Sequence, residues 1–481
     1  MTTFKHTPVM VLALLLVVSG ALVSCKKDEA APTPPETPWS KGSLDNARYV
    51  AIGNSLTAGF QSNALSSRDQ AYSFPKLIAG AIRTTDFQQP LMKEPGVGAR
   101  KKLVSLTGPV IIDETGANPL DLATNLNIRL ERPYNNLGIP GAVLFDMLDR
   151  PTSFQLKSAQ RGNPFFALIQ RDTALGRSVV AQARNVRPTF MTCWIGNNDV
   201  LGYATSGGSG SPTPAAQFDA LYGQLMDSLR AITPNVIVAN IPDVTAIPFF
   251  TTIGPSVRAA LPAGIYLRYQ KGSNTGPSFD STRFTETTPP LLLLTGSTYA
   301  SLLGRGGGQG GGKYYRDNNI TPPPGIDTTK PFGFHPQNPW PGRLTLDADE
   351  QATAAAAIAA FNNSIRTHAT RNGFVVLDIN SIFNKIRQEG LFVPGVGTFS
   401  PAFITGGLFS YDGVHPSSRG HAIVANEFIK LINQKYNATI TPIDVRSVPP
   451  LQGLGFEKVT MTLSEQMDVG SFDFLLSLLR R

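Results

Sequence analysis

A chain of 481 residues, 41% hydrophobic and 16% charged, fits an ordered globular protein with a sizeable core and few surface charges. Its formal charge of +8 comes from scattered Lys and Arg with no basic run interleaved with aromatics, so nucleic acid is not an expected partner. The two cysteines, Cys25 and Cys193, have neither metal-ligand spacing nor a pairing pattern, which argues against a zinc site and a disulfide framework; no cofactor is expected.

Residues 1–24 read as a leader. Lys5 and His6 precede an apolar core at Val9 to Val18, about the length of a signal-peptide core and shorter than the ~20 residues a membrane span needs. Leu22-Val23-Ser24-Cys25 resembles the bacterial lipobox, in which the cysteine is lipidated and becomes the mature N-terminus; the plainer alternative is an ordinary signal peptide with a chance cysteine. Lys26-Lys27-Asp28-Glu29 resembles the surface-export signal of Bacteroidetes lipoproteins. Residues 25–44 hold a Pro-rich stretch that cannot pack and read as an extended tether.

Residues 45–440 are expected to fold as one domain. From Arg48 onward, strand-like and helix-like segments alternate, the pattern of a parallel α/β sheet. Residues 48–53 form the first expected strand, and 72–82 a helix. Residues 187–195 are an apolar strand after a segment at 179–184. Phe218, Leu221, Tyr222, Leu225 and Leu229 fall at helical spacing and lead into a strand at 235–240. Asp347 and Glu350 read as an N-cap and its reciprocal partner, ahead of Ile358, Phe361 and Ile365 on one helical face. A short strand at 374–378 follows, and Val424, Phe428, Leu431 and Ile432 mark a last amphipathic helix.

Two insertions interrupt the alternation, at about 84–133 and 248–341. The first carries an expected strand pair within 102–112. The second is rich in Pro and Gly, includes an oligo-glycine run at 304–312, and reads as a flexible loop near one rim. Its Leu291 to Leu294 suit either a subdomain core or a lid. Gly307 to Lys313 has P-loop spacing, but Tyr314 stands where Ser or Thr is needed and no strand precedes it. Residues 441–481 form an unassigned tail, with an apolar stretch at 472–479.

Four pieces carry polar chemistry. Ser55 stands where an apolar run breaks into a tight Gly-Asn turn, a place that also suits a plain helix cap. Asn135 to Ala142 passes from strand to glycine turn to helix start, where backbone N–H groups suit an anion. Gly196-Asn197-Asn198-Asp199 ends an apolar strand, and in parallel sheets ligands bind at carboxyl ends. Asp412 stands three residues before His415 on a turn, a spacing that sets a carboxylate beside an imidazole.

In this order along the chain, the four pieces resemble the blocks of the GDSL, or SGNH, hydrolase family. The resemblance implies a flavodoxin-like three-layer sandwich with a central parallel sheet, here with long loop insertions. It also implies metal-free hydrolysis of carboxylic esters. Carried over by motif, it makes Ser55 the nucleophile, His415 the base and Asp412 the orienting acid. Ser55 N–H, Gly141 N–H and the Asn198 amide would form the oxyanion hole, Gly141 being preferred to Gly138 by its place in Asn-x-Gly-x-x-Gly-Ala. Asn54 departs from the family's usual Asp before the serine, and Pro140 from its frequent Ser.

The expected protein is a membrane-anchored serine esterase or lipase, lipidated at Cys25 on the outer membrane and open to surface export. Its partner is a small or polymer-linked ester. The alternatives are a polysaccharide deacetylase of the same family and a non-catalytic glycan-binding lipoprotein on the same fold. An α/β-hydrolase fold would want Gly-x-Ser-x-Gly, and Thr57 occupies the second Gly position.

Overall fold

Four apolar runs and the short Asn-Leu-Gly segment become five parallel strands: β1 (Tyr49–Gly53), β2 (Asn136–Gly138), β3 (Phe190–Trp194), β4 (Val236–Ala239) and β5 (Val375–Leu377). The structure is a computed structural model that describes residues 38–451, except 106–109, 119–120, 262–263, 273–280, 283–288 and 308–309. The leader, Cys25, most of the tether, part of the oligo-glycine run and the tail beyond Leu451 lie outside the described residues.

The sheet order is β5-β4-β3-β1-β2, with every neighbour parallel. Because successive side chains point to opposite faces, each strand feeds two cores. Val50, Ile52, Met191, Cys193, Val236 and Val238 enter one core; Tyr49, Ala51, Phe190, Trp194, Ile237 and Ala239 enter the other. Helices cover both faces, giving the three-layer sandwich.

The second face is covered by α1 (Phe74–Ala81), through Phe74 and Ile78, and by the last helix, through Phe428, Ile429 and Ile432. The expected helix at 72–82 starts later because the Ser73 side chain caps it, accepting from Lys76 N–H, with Pro75 in the first turn. The first face is covered by α2 (Val179–Val186) and by α4 (Ala215–Arg230), which follows the site helix α3 (Asn198–Thr205). The long α5 (Ala348–Arg371) packs beside α4, with Phe361 stacked on Phe218 at 4.0 Å between ring centroids. Its start is the reciprocal cap expected from sequence: Glu350 N–H donates to Asp347 Oδ1 at 2.9 Å, and Asp347 N–H to Glu350 Oε2 at 2.8 Å. After β5 come α6 (Ile379–Glu389) and finally α7 (Ser418–Tyr436).

The expected strand pair is present as an antiparallel hairpin, Arg100–Ser105 with Val110–Glu114. The second insertion differs from the flexible loop read from its glycines. Its described part carries short helices at Pro248–Thr251, Ile253–Ala260, Ser297–Ala300 and Lys313–Asp317. Leu291–Leu292 pairs antiparallel with Thr345–Leu346, and Leu292, Leu293, Leu294, Phe332 and Trp340 are buried in the first core. Hence Leu292 to Leu294 belong to the core, with the half-buried Leu291 packed against it. The start of the tail also packs: Asn426 on α7 exchanges hydrogen bonds with the Ile443 backbone at 2.7 and 3.0 Å, and Val445 and Val448 are buried. Among the described residues no helix is long and apolar enough to cross a membrane.

Candidate active site

Register sets the site. Gly53 lies opposite Gly138 on one side and Trp194 on the other, so three chain segments leave the sheet at the same level. Ser55, Gly141 and Asn198 each follow within a few residues of that rung. This is the carboxyl edge of a parallel sheet, where ligands bind.

Beyond β1 the chain makes a single helical turn, Ser55–Ala58. Asn54 caps it by accepting from Leu56 N–H at 3.1 Å, while its Nδ2 donates to Asn197 Oδ1 at 3.2 Å. An aspartate in this position, when ionised, accepts only, so the amide ties the serine turn to the start of α3. Gly138 lies directly under the turn: a Cβ there would stand 2.3 Å from Ala58 N. This close approach explains why β2 ends in glycine at that rung.

The acid and base sit on the turn before α7. Gly413 adopts a φ of 70°, which closes the turn and lets Ser410 N–H donate to His415 O at 2.8 Å. Asp412 Oδ1 accepts from Val414 N–H and His415 N–H, each at 2.9 Å, and from Ser410 Oγ at 3.2 Å. Asp412 Oδ2 accepts from Asn63 N–H at 2.9 Å and lies 2.9 Å from His415 Nδ1. The other imidazole nitrogen, Nε2, is 2.9 Å from Ser55 Oγ. With the proton on Nδ1, Nε2 accepts from the serine hydroxyl. Phe60 leans on the imidazole at 4.8 Å between centroids.

Asp412 is completely buried, which by itself raises its pKa; the charge of His415 and the hydrogen bonds from His415 and Asn63 outweigh this and hold it below the usual carboxylate range. It therefore stays an anion beside the imidazole.

Gly141 has a φ of 77°, and the segment around it is pinned from three sides. Asn198 Nδ2 donates to Ala142 O at 2.8 Å, Asp199 Oδ2 accepts from Leu144 N–H at 2.9 Å, and Asn163 Nδ2 donates to Pro140 O at 2.8 Å. An amide nitrogen carries two hydrogens, so Asn198 keeps one for a ligand. Asp199 also accepts from Thr213 Oγ1 at 2.8 Å, and burial pushes its carboxyl up to about 7.

The structure thus links Ser55, His415 and Asp412 directly, and joins Gly141 to Asn198 through Ala142. Cys193 is buried in β3, and burial pushes its thiol up to about 12. His335 and His368 are engaged elsewhere, with Gln337 N–H and Asp219. Among the described residues no group of His, Cys, Asp or Glu is arranged to hold a metal ion.

Sequence reasoning missed the segment that braces the acid. Ser62 and Asn63 have φ of 49° and 63°. Ser62 N–H donates to Ser410 Oγ at 2.9 Å and Tyr411 N–H to Ser62 Oγ at 3.3 Å, while Asn63 Nδ2 holds Ala99 O at 3.0 Å. The available signal was Ser-Asn four residues beyond the serine turn, residue types that suit turns and, for Asn, left-handed backbone.

Against known proteins, residues 49–428 match the family model of GDSL-like lipase/acylhydrolase. No curated protein matches the chain. Among solved structures it is similar to the acetylxylan esterase Axe2 from Geobacillus stearothermophilus, at 12% identity and TM-score 0.33, covering 82% of this chain and 98% of that one. A putative GDSL-like lipase from Parabacteroides merdae matches at 12% identity and TM-score 0.29, covering 82% and 99%. An α/β hydrolase from the metagenome of Lake Arreo, Spain, matches at 11% identity and TM-score 0.32, covering 82% and 97%.

Proposed function

The chain belongs to the GDSL-like lipase/acylhydrolase family and is an ester hydrolase, and from that premise we propose that it cleaves carboxylic esters through an acyl-enzyme on Ser55. The support is the unbroken relay of Ser55 Oγ to His415 Nε2 and His415 Nδ1 to Asp412 Oδ2, 2.9 Å at each step.

As Ser55 Oγ attacks the ester carbonyl carbon, its proton passes to His415 Nε2. Asp412 holds the ring by Nδ1–H and stabilises the imidazolium. The carbonyl oxygen becomes an oxyanion held by Ser55 N–H, Gly141 N–H and the remaining Asn198 N–H, donors of a kind worth ~10²–10³ each in turnover. The C–O bond to the alcohol then breaks, and His415 returns the proton to the departing oxygen. Water, deprotonated by His415, attacks the acyl-enzyme and frees the acid and Ser55.

The purified protein is expected to hydrolyse short-chain nitrophenyl esters, and Ser55→Ala to lose that activity. A variant as active as the parent would sink the mechanism.

The sequence Leu22-Val23-Ser24-Cys25 supports a second part of the reading, a lipid anchor at Cys25 that holds the enzyme on the outer membrane, and Lys26-Lys27-Asp28-Glu29 supports its export to the surface. Cell fractionation checks it: Cys25→Ala should move the enzyme out of the membrane pellet, and retention there would refute the anchor.

A further inference from the structure

A cavity of about 110 Å³ opens beside Ser55 and His415 and runs under α6. Its polar lining is Asn54, Ser55, Asn197, Asn198 and His415 at the reacting end, together with Glu427 from α7. The rest of the wall is mainly aliphatic and aromatic: Ile382, Phe383 and Ile386 from α6, Ile423 from α7, Val244 after β4, and Phe409 before the acid–base turn. An engineered apolar cavity of about 150 Å³ stays dry and binds benzene, so a space of this size and lining is suited to hydrocarbon.

The wall is built, not incidental. Ile382, Phe383 and Ile386 recur at helical spacing, so α6 turns one apolar face to the cavity. Asp378 caps α6 by accepting from Ser381 N–H at 3.1 Å, and Asn240 Nδ2 donates to the same carboxylate oxygen at 2.7 Å. Asn380 Nδ2 holds Ile241 O at 2.9 Å, and Phe383 meets Phe409 edge to face at 5.7 Å. These bonds tie α6 to the end of β4, so the wall stands ready before any ligand arrives.

We propose that this cavity is the acyl-chain site, that α6 gauges the chain, and that the preferred substrates are esters of aliphatic acids several methylenes long. The proposal rests on the reading of Ser55 as nucleophile. An acetyl group would end near the serine and leave the α6 wall without contact. Each added methylene that reaches the wall leaves water, a gain of about fourfold in kcat/KM, until the cavity is full. A sugar ring, by contrast, would find no hydrogen-bonding side chain on the α6 wall and, from α7, only that of Glu427.

The test is kcat/KM for nitrophenyl esters from C2 to C16, alongside ethyl octanoate, octyl acetate and acetylated xylan. The full chain is used, as wild type, Ser55→Ala, Ile382→Trp and Ile386→Ala. The expected profile rises about fourfold per methylene from C2 and then breaks. Ile382→Trp should lower the C8-to-C2 ratio at least tenfold, and Ile386→Ala should move the break to longer chains. A flat wild-type profile, a preference for acetylated xylan, or faster turnover of octyl acetate than of ethyl octanoate would overturn the acyl site. If Ser55→Ala is then inactive on every ester, the mechanism stands without it. A Ser55→Ala variant that keeps activity would instead overturn the nucleophile. Should Ile382→Trp fail to fold, the wild-type profile and Ile386→Ala still decide the matter.

Discussion

Two buried histidines stand six residues apart, and the chain treats them in opposite ways. His415 lies on the turn before α7 with Asp412 on one ring nitrogen and Ser55 on the other. His421 lies inside α7, stacked near Phe74 at 6.4 Å, and among the described residues neither ring nitrogen has a hydrogen-bond partner. Both are almost entirely out of water. Burial, then the nearby charge of His415, pushes His421 down to about 3, so it stays neutral at any working pH. The contrast teaches that burial alone makes a histidine inert. A base needs a charged partner that is itself held by other donors, as Asp412 is by Asn63, Val414 and Ser410.

The largest effect that sharpens this contrast is expected at Asp412. Asp412→Asn keeps the shape but favours the wrong imidazole tautomer, and kcat on a nitrophenyl ester should fall ~10⁴-fold. In the same assay His421→Phe should change kcat less than about twofold. Comparable losses in the two variants would break the distinction.

A smaller effect separates the histidines by pH. An unfolded histidine titrates near 6.5, and His421 in the fold near 3, so below pH ~6.5 the unfolded chain binds more protons. The stability tied to neutral His421 is therefore complete above that pH and is lost as pH falls toward 3. By pH 5 the loss is about 2 kcal/mol. Urea midpoints measured at pH 5 and pH 8 should show a smaller acid-side drop in His421→Phe than in the parent. An unchanged drop would mean that His421 does not remain neutral in the fold. Asp199 works in the opposite direction over part of this range. Its carboxyl is raised to about 7, so its contribution is present below pH ~4 and is lost as pH rises toward 7.

The sheet and its helices were legible in the sequence because strand and helix periodicities are local. The apolar runs at β1, β3 and β4, the cap at Asp347 and the face of α5 all follow from neighbours within a few residues. The second insertion was not legible, since its Gly and Pro content suggests a loop while its buried residues find their partners far away. Leu292 meets Thr345 across a strand pair, and Trp340 fills the space beside Gly296, where a Cβ would stand 2.4 Å from the indole. The brace of the acid was hidden for the same reason: Asn63 and Asp412 are 349 residues apart.

By itself the order of residues determined the class of fold, the four polar turns and the side chains suited to hydrolysis, because turn chemistry and periodicity act over short distances. Only the tertiary structure decided how His415 meets the serine, with Nε2 2.9 Å from Ser55 Oγ. It also decided which loop holds the carboxylate in place, and that an apolar cavity lies beside the nucleophile. Those outcomes depend on the register of β1 between β2 and β3 and on the packing of α6 against β4, contacts between segments that no local pattern connects.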